Sequence, residues 1–113
     1  MKLNDREQGN IVILEPKGKI MGGPDASLLH DKLYECIEKG RKKVIIDLAK
    51  VDWMNSTGLG ILITNYSTLK KSEGSLKLVN VNKRIESILM VTKLNTVFET
   101  FPSESDALAS FTA

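Results

Sequence analysis

Apolar residues recur along the chain in two alternating rhythms. Ile11-Val12-Ile13-Leu14 is short and β-branched, as a strand is, and Val44-Ile45-Ile46-Asp47-Leu48 is nearly continuous in hydrophobicity, as a strand buried on both faces requires. The first run lies between Gly9-Asn10 and Pro16 with Gly18, which predicts a strand that stops before the proline. A more polar segment, Leu3 to Gln8, can pair with it antiparallel through a Gly9-Asn10 turn. Leu76, Leu78, Val79 and Val81 mark another strand, and Thr96-Val97-Phe98 a short final one.

The intervening segments have helical spacing. Gly22-Gly23-Pro24-Asp25 breaks the chain before Ala26, Leu29, Leu33, Cys36 and Ile37, and Gly40 stands where a helix places its C′ glycine. Leu59, Leu62, Ile63, Tyr66 and Leu69 form an apolar stripe that ends near Gly74. Asn82 can cap a helix carrying Ile85, Ile88 and Leu89. Ser103-x-x-Asp106 has the form of a capping box opening a last helix, with Leu108 and Phe111 facing inward. Strands alternating with helices imply parallel pairing through right-handed crossovers. The expectation is one α/β domain over residues 1–113, a mostly parallel sheet with an N-terminal antiparallel strand and about four helices.

Composition narrows the function classes. A chain of 113 residues with 42% hydrophobic and 27% charged positions has the balance of a globular domain. A net charge of +2 is too small to argue for nucleic acid or a membrane surface. Arg41-Lys42-Lys43 and Lys70-Lys71 lie at element ends without interleaved aromatics, and read as solvated surface. The single Cys36 excludes an internal disulfide framework and a multi-cysteine zinc site, and fits a reducing compartment. His30 is the only histidine, which leaves no partner for a histidine-based triad or metal cluster. Met1 to Glu7 contains no apolar stretch of a signal peptide, and no apolar run approaches the ~20 residues needed to span a bilayer. A cytoplasmic location is expected, with no membrane insertion.

Familiar catalytic motifs fail on inspection. Gly58-Leu59-Gly60 has Ile63 where a dinucleotide fingerprint needs its third glycine. Gly18-Lys19 is followed by Ile20 and has Ile13 at the first glycine of a P-loop. Ser56 follows Met54 at the position where a nucleophile elbow has glycine. No catalytic residue, cofactor or metal is expected, and the reading is of a binding protein.

The distinctive segment is Val51-Asp52-Trp53-Met54-Asn55-Ser56-Thr57-Gly58-Leu59-Gly60. It runs from the carboxyl end of a buried strand to a helix amino terminus, where open α/β sheets place their sites. Asn55 or Ser56 serves as the N-cap, and Gly58 and Gly60 allow the helix to pack closely. A hydroxyl pair stands at the mouth with Trp53 and Met54 beside it. A phosphate on Ser56 would place roughly −1.5 to −2 charges at the positive end of the helix dipole. The fold can accommodate that charge locally, whereas a docked partner cannot.

With Asp47-Leu48 before it and Leu94-Asn95-Thr96-Val97-Phe98 near the end, this segment resembles the signature of the STAS domain (sulfate transporter and anti-sigma factor antagonist), and the likeness covers essentially the whole chain. A stand-alone domain of this length is similar to the bacterial anti-sigma factor antagonists. That resemblance implies docking on an anti-sigma factor that is also a serine kinase, release when the kinase phosphorylates a serine, and restoration by a phosphatase. By position the serine is Ser56, with Thr57 the alternative. The implied partner-binding residues are Met21, Asp25, Trp53, Met54, Asn55, Ser56, Thr57, Gly58 and Leu59. A second copy of the chain is a further candidate partner. The chain departs from the family pattern twice: Asn55 stands where the family has Asp, and Met21 aligns with an acidic loop position. The loss of that acid favours the alternative of a constitutive scaffold or accessory subunit, as in STAS-containing signalling or lipid-transport assemblies.

Overall fold

A computed structural model describes residues 1–112. The chain runs β1 (Lys2–Gln8), β2 (Ile11–Ile20), α1 (Pro24–Glu38), β3 (Lys43–Asp47), β4 (Val51–Met54), α2 (Ser56–Lys71), β5 (Ser75–Val79) and α3 (Lys83–Val91). A 3-10 turn (Leu94–Thr96), β6 (Glu99–Phe101) and α4 (Glu104–Thr112) complete it. The sheet order is β1-β2-β3-β5-β6, with β4 laid against the far end of β2. β1 and β2 are antiparallel and every other pairing is parallel, which is the mixed α/β sheet expected.

The strand period explains why the central runs are hydrophobic throughout. Val12 and Leu14 of β2, Val44 and Ile46 of β3, and Leu76 and Leu78 of β5 point to one face, under α1, α2 and α3. Ile11, Ile13, Ile45 and Val79 point to the other, where Ala107 of α4 joins them with Leu108 and Phe111 packed alongside. Each such side chain contributes about 1.5–3 kcal/mol relative to exposure, so both faces must be covered. Cys36 lies in the larger cluster, and burial pushes its thiol pKa up.

Local signals settle the helix ends. Gly9 (φ +64°) makes the two-residue turn that sets Gln8 opposite Ile11. After α1, the Gly40 N–H donates to the Ile37 carbonyl at 2.9 Å and the Arg41 N–H to Cys36 at 2.8 Å, a Schellman closure on the expected glycine. After α2 the same closure is made by the Gly74 N–H to Leu69 at 2.6 Å, but Glu73 occupies the left-handed position at φ +64°. The Asn82 side chain accepts from the Ile85 N–H at 2.9 Å, and Ser103 Oγ from the Asp106 N–H at 3.2 Å.

Three expectations need correction. β2 does not stop before Pro16: β3 leaves it at Leu14 and β4 joins it from Gly18, so the proline falls between two partners. Thr96-Val97-Phe98 is no strand. Lys93 turns left-handed (φ +61°), the Val97 and Phe98 N–H groups bond back to Leu94, and Phe98 drops into the core edge-on to Tyr66 at 5.4 Å. The backbone enters the sheet only at Glu99, opposite Lys77. Finally, Val51–Met54, expected as a connecting loop, is a strand in its own right.

Candidate functional site

The distinctive segment is held at three levels. Gly18, at φ +97°, bulges β2 and turns its end towards β4, where the register pairs Gly18 with Val51, Lys19 with Trp53 and Ile20 with Met54. Val51 and Met54 are buried, while Asp52 and Trp53 look outward. Asn82 clamps the strand from below: its Nδ2 donates to the Val51 carbonyl at 3.0 Å while its Oδ1 caps α3.

Asn55 makes a second two-handed clamp. Its Oδ1 accepts from the Gly58 N–H at 2.7 Å, capping α2, and its Nδ2 donates to the Met21 carbonyl at 3.2 Å in the β2–α1 loop. The two partners fix the amide orientation, because an N–H needs an acceptor and a carbonyl needs a donor. An ionised Asp could cap α2 but could not make the second bond. On the same loop the Met21 N–H donates to Asp25 Oδ2 at 3.0 Å, so both sides of that peptide segment are tied down. Glycines allow the close approach. A Cβ on Gly58 would stand 2.0 Å from the Ile20 carbonyl oxygen, and one on Gly22 (φ +109°) would stand 2.6 Å from Thr57 Cγ2.

The resulting surface presents Ser56 at the first helical position, exposed, with Thr57 beside it and its methyl against Gly22. Among the described residues the Ser56 hydroxyl makes no hydrogen bond. Met21 (43% exposed) and Trp53 (39%) are exposed on the loop that Asn55 binds and on the strand that leads into α2. Asn55 and Asp25 are half-buried. Met54, Gly58 and Leu59 lie beneath, with Met54 fully buried, so these three shape the surface from inside rather than forming it. Of the two side chains expected at the mouth, Trp53 is exposed and Met54 is not. Gly60 also differs from expectation. A Cβ there would meet nothing within 4 Å, so close packing of the helix rests on Gly58.

Sequence reading missed the contributions of β4, Gly22 and the second hand of Asn82. Only Gly22 had a visible signal, the Gly22-Gly23-Pro24 break, and that signal does not say which residue the glycine meets.

Elsewhere one acidic cluster is occupied by the chain's own cations. One carboxylate oxygen each from Glu15, Asp47 and Glu104 lies within 4.8 Å of the others, where a cation could in principle sit. Arg6 already reaches Glu104 at 2.6 Å, and Lys50 reaches Glu15 at 2.9 Å. Burial works to raise the Asp47 pKa, but hydrogen bonds with Glu104, the Ala49 N–H and Asn80 outweigh it and hold the group below its ordinary value. The hydrogen bond to Asp47 in turn holds Glu104 above its ordinary value, against the pull of Arg6. His30 packs its ring against Tyr34 at 4.4 Å. Arg41 pairs with Glu7 at 2.9 Å, in keeping with a solvated surface role.

Residues 2–107 match the model of the STAS domain family. The chain is 35% identical over 74 residues to the anti-sigma-B factor antagonist of Bacillus subtilis (strain 168), covering 66% of this chain and 67% of that protein. In structure it is similar to an anti-sigma factor antagonist from Mycobacterium paratuberculosis, with a TM-score of 0.82 at 23% identity, covering 96% of this chain and 92% of the other. It is also similar to the phosphorylated form of SpoIIAA, a Bacillus cell fate determinant, with a TM-score of 0.76 at 15% identity over 97% and 99% of the two chains. At these identities the structural likeness is one of fold.

Proposed function

The chain belongs to the STAS domain family, and from that premise we propose that it is an anti-sigma factor antagonist, a non-enzymatic binding module of the cytoplasm switched by phosphorylation of Ser56. The observation that carries this reading is the position of Ser56: exposed, with no hydrogen bond from its hydroxyl among the described residues, on the first residue of α2. A phosphate there lies against the positive end of the helix, so the isolated domain keeps its fold. A partner docked over Met21, Trp53, Ser56 and Thr57 would instead have to desolvate a doubly charged group and lose affinity. The partner is an anti-sigma factor that is also a serine kinase and brings its own ATP, and a phosphatase resets the switch. Trp53 is the proposed anchor, since partly exposed aromatics dominate binding energy at such surfaces.

Asn55 supports a second reading, a constitutive scaffold. Its amide spends both hands on the protein's own backbone and brings no charge to the neighbouring serine. The two readings separate by mass spectrometry of the protein isolated from its host with whatever it binds. Phosphate on Ser56 (or on Thr57), with a kinase-like partner found only on the unmodified form, supports the switch. One partner retained in every growth condition, with no phosphate, supports the scaffold and sinks the switch.

A further inference from the structure

Between α1 and α2 runs a groove of about 490 Å³, within the range of small-molecule sites. Ala26, His30 and Asp31 come from α1, and Gly60, Ile61 and Asn65 from α2. Asn65 is the unusual member. It is 2% exposed, yet among the described residues its carboxamide has no hydrogen-bond partner. Neither polar atom is sealed in protein, so the little surface the residue keeps is at those atoms, on the groove. A nearly buried carboxamide normally finds protein partners for its acceptor and its donors. Asn65 offers them to the groove instead.

Gly60 makes the room. Its position is open within 4 Å, and a side chain there would grow into the same space. The lining also restricts the ligand's charge: it includes the Asp31 carboxylate and no lysine or arginine, which disfavours phosphates and other anions. Ala26 and Ile61 supply apolar lining.

We propose that this groove is a binding site for a small, neutral, largely apolar molecule that presents an adjacent donor and acceptor, as an amide or lactam edge does, to the carboxamide of Asn65. Such an edge satisfies both hands of the residue at once. The groove shares Thr57 with the surface described above, but the inference rests on Asn65 and Gly60 and stands whether or not Ser56 is a switch.

The test is a nuclear magnetic resonance titration of the labelled full chain with 2-pyridone, a lactam, and with N-methyl-2-pyridone, which has lost the donor. The expected result is a saturable millimolar shift centred on the Gly60, Ile61 and Asn65 amides and on the Asn65 side-chain NH₂. The methylated probe should bind about tenfold more weakly, the penalty typical of one unmade hydrogen bond. Asn65→Leu should bind the two probes equally, and it should be at least as stable as the parent, because an unpaired polar group is removed. Gly60→Leu should abolish binding while leaving the sheet resonances in place, and it carries the test if Asn65→Leu disturbs the fold. The proposal is overturned by the absence of a saturable shift with 2-pyridone, by equal affinity for both probes in the parent protein, or by undiminished binding in Gly60→Leu.

Discussion

Gly58 and Gly60 lie two residues apart on α2, and the structure predicts opposite responses to the same substitution. A Cβ on Gly58 would stand 2.0 Å from the Ile20 carbonyl oxygen, 2.8 Å from its carbon and 3.2 Å from its Cγ2. Two of those atoms are backbone in β2, so the first turn of α2 must withdraw by more than an ångström. Overpacking of this kind costs about 1–3 kcal/mol. Withdrawal also strains the Asn55 to Met21 bond, already 3.2 Å long, for roughly another 1 kcal/mol. Alanine returns up to about 1 kcal/mol of helix propensity. Gly58→Ala is therefore expected to lose about 2 kcal/mol net, lowering the melting temperature by about 8 °C in a domain of this size. At Gly60 the Cβ meets nothing within 4 Å, so only the propensity gain remains, about 0.5–1 kcal/mol. Urea denaturation followed by circular dichroism gives both values. The single Trp53 on neighbouring β4 reports whether the loss begins at this end of the helix. A Gly58→Ala protein as stable as Gly60→Ala would refute the claim that α2 rests on the Ile20 carbonyl.

Other predictions follow from single contacts. Asn55→Asp keeps the cap on Gly58 and loses the bond to Met21, so global stability should change by less than about 1 kcal/mol while amide exchange of Gly22 and Gly23 accelerates; an unchanged loop would remove the clamp assigned to Nδ2. Glu73→Gly relieves a non-glycine left-handed residue and should raise the urea midpoint by the equivalent of about 1 kcal/mol, whereas a lower midpoint would show that Glu73 does more than close the helix. Glu104 has a raised pKa in the fold, so its stabilisation is full below its unfolded value of about 4.3 and is lost as pH rises through the raised value. Asp47, held low, acts in the opposite sense and loses its stabilisation as pH falls through its depressed value. Glu104→Gln keeps a permanent donor for Asp47, so denaturation from pH 4 upward should show the variant gaining on the parent as pH rises; parallel curves would exclude a Glu104 held protonated by its hydrogen bond to Asp47.

Much of the fold is legible locally. The apolar runs of β2, β3 and β5 announced strands, that of β3 one with two covered faces, and caps at Asn55, Asn82 and Ser103 sit within three residues of the N–H groups they accept from. Gly40 closed α1 for the same local reason. Elements whose stability comes from distant partners were not legible. Val51-Asp52-Trp53-Met54 has no strand alternation and becomes β4 only because Gly18 turns the end of β2 towards it. Thr96-Val97-Phe98 has strand propensity, but a left-handed Lys93 and the burial of Phe98 against Tyr66 overrule it.

The candidate surface divides along the same line. By itself the sequence determined the order of elements, the helix-opening Asn55-Ser56-Thr57-Gly58 and the exposure of a serine at a helix amino terminus, because capping and periodicity act over three or four residues. Tertiary structure alone decided that Asn55 reaches a carbonyl 34 residues earlier, that Met54 turns inward while Trp53 stays out, and that Asn65 opens onto a groove rather than onto a partner. Those outcomes depend on how closely α2 approaches β2 and α1. That distance is set by the missing side chains at Gly22 and Gly58 together, and no stretch of sequence read in isolation contains it.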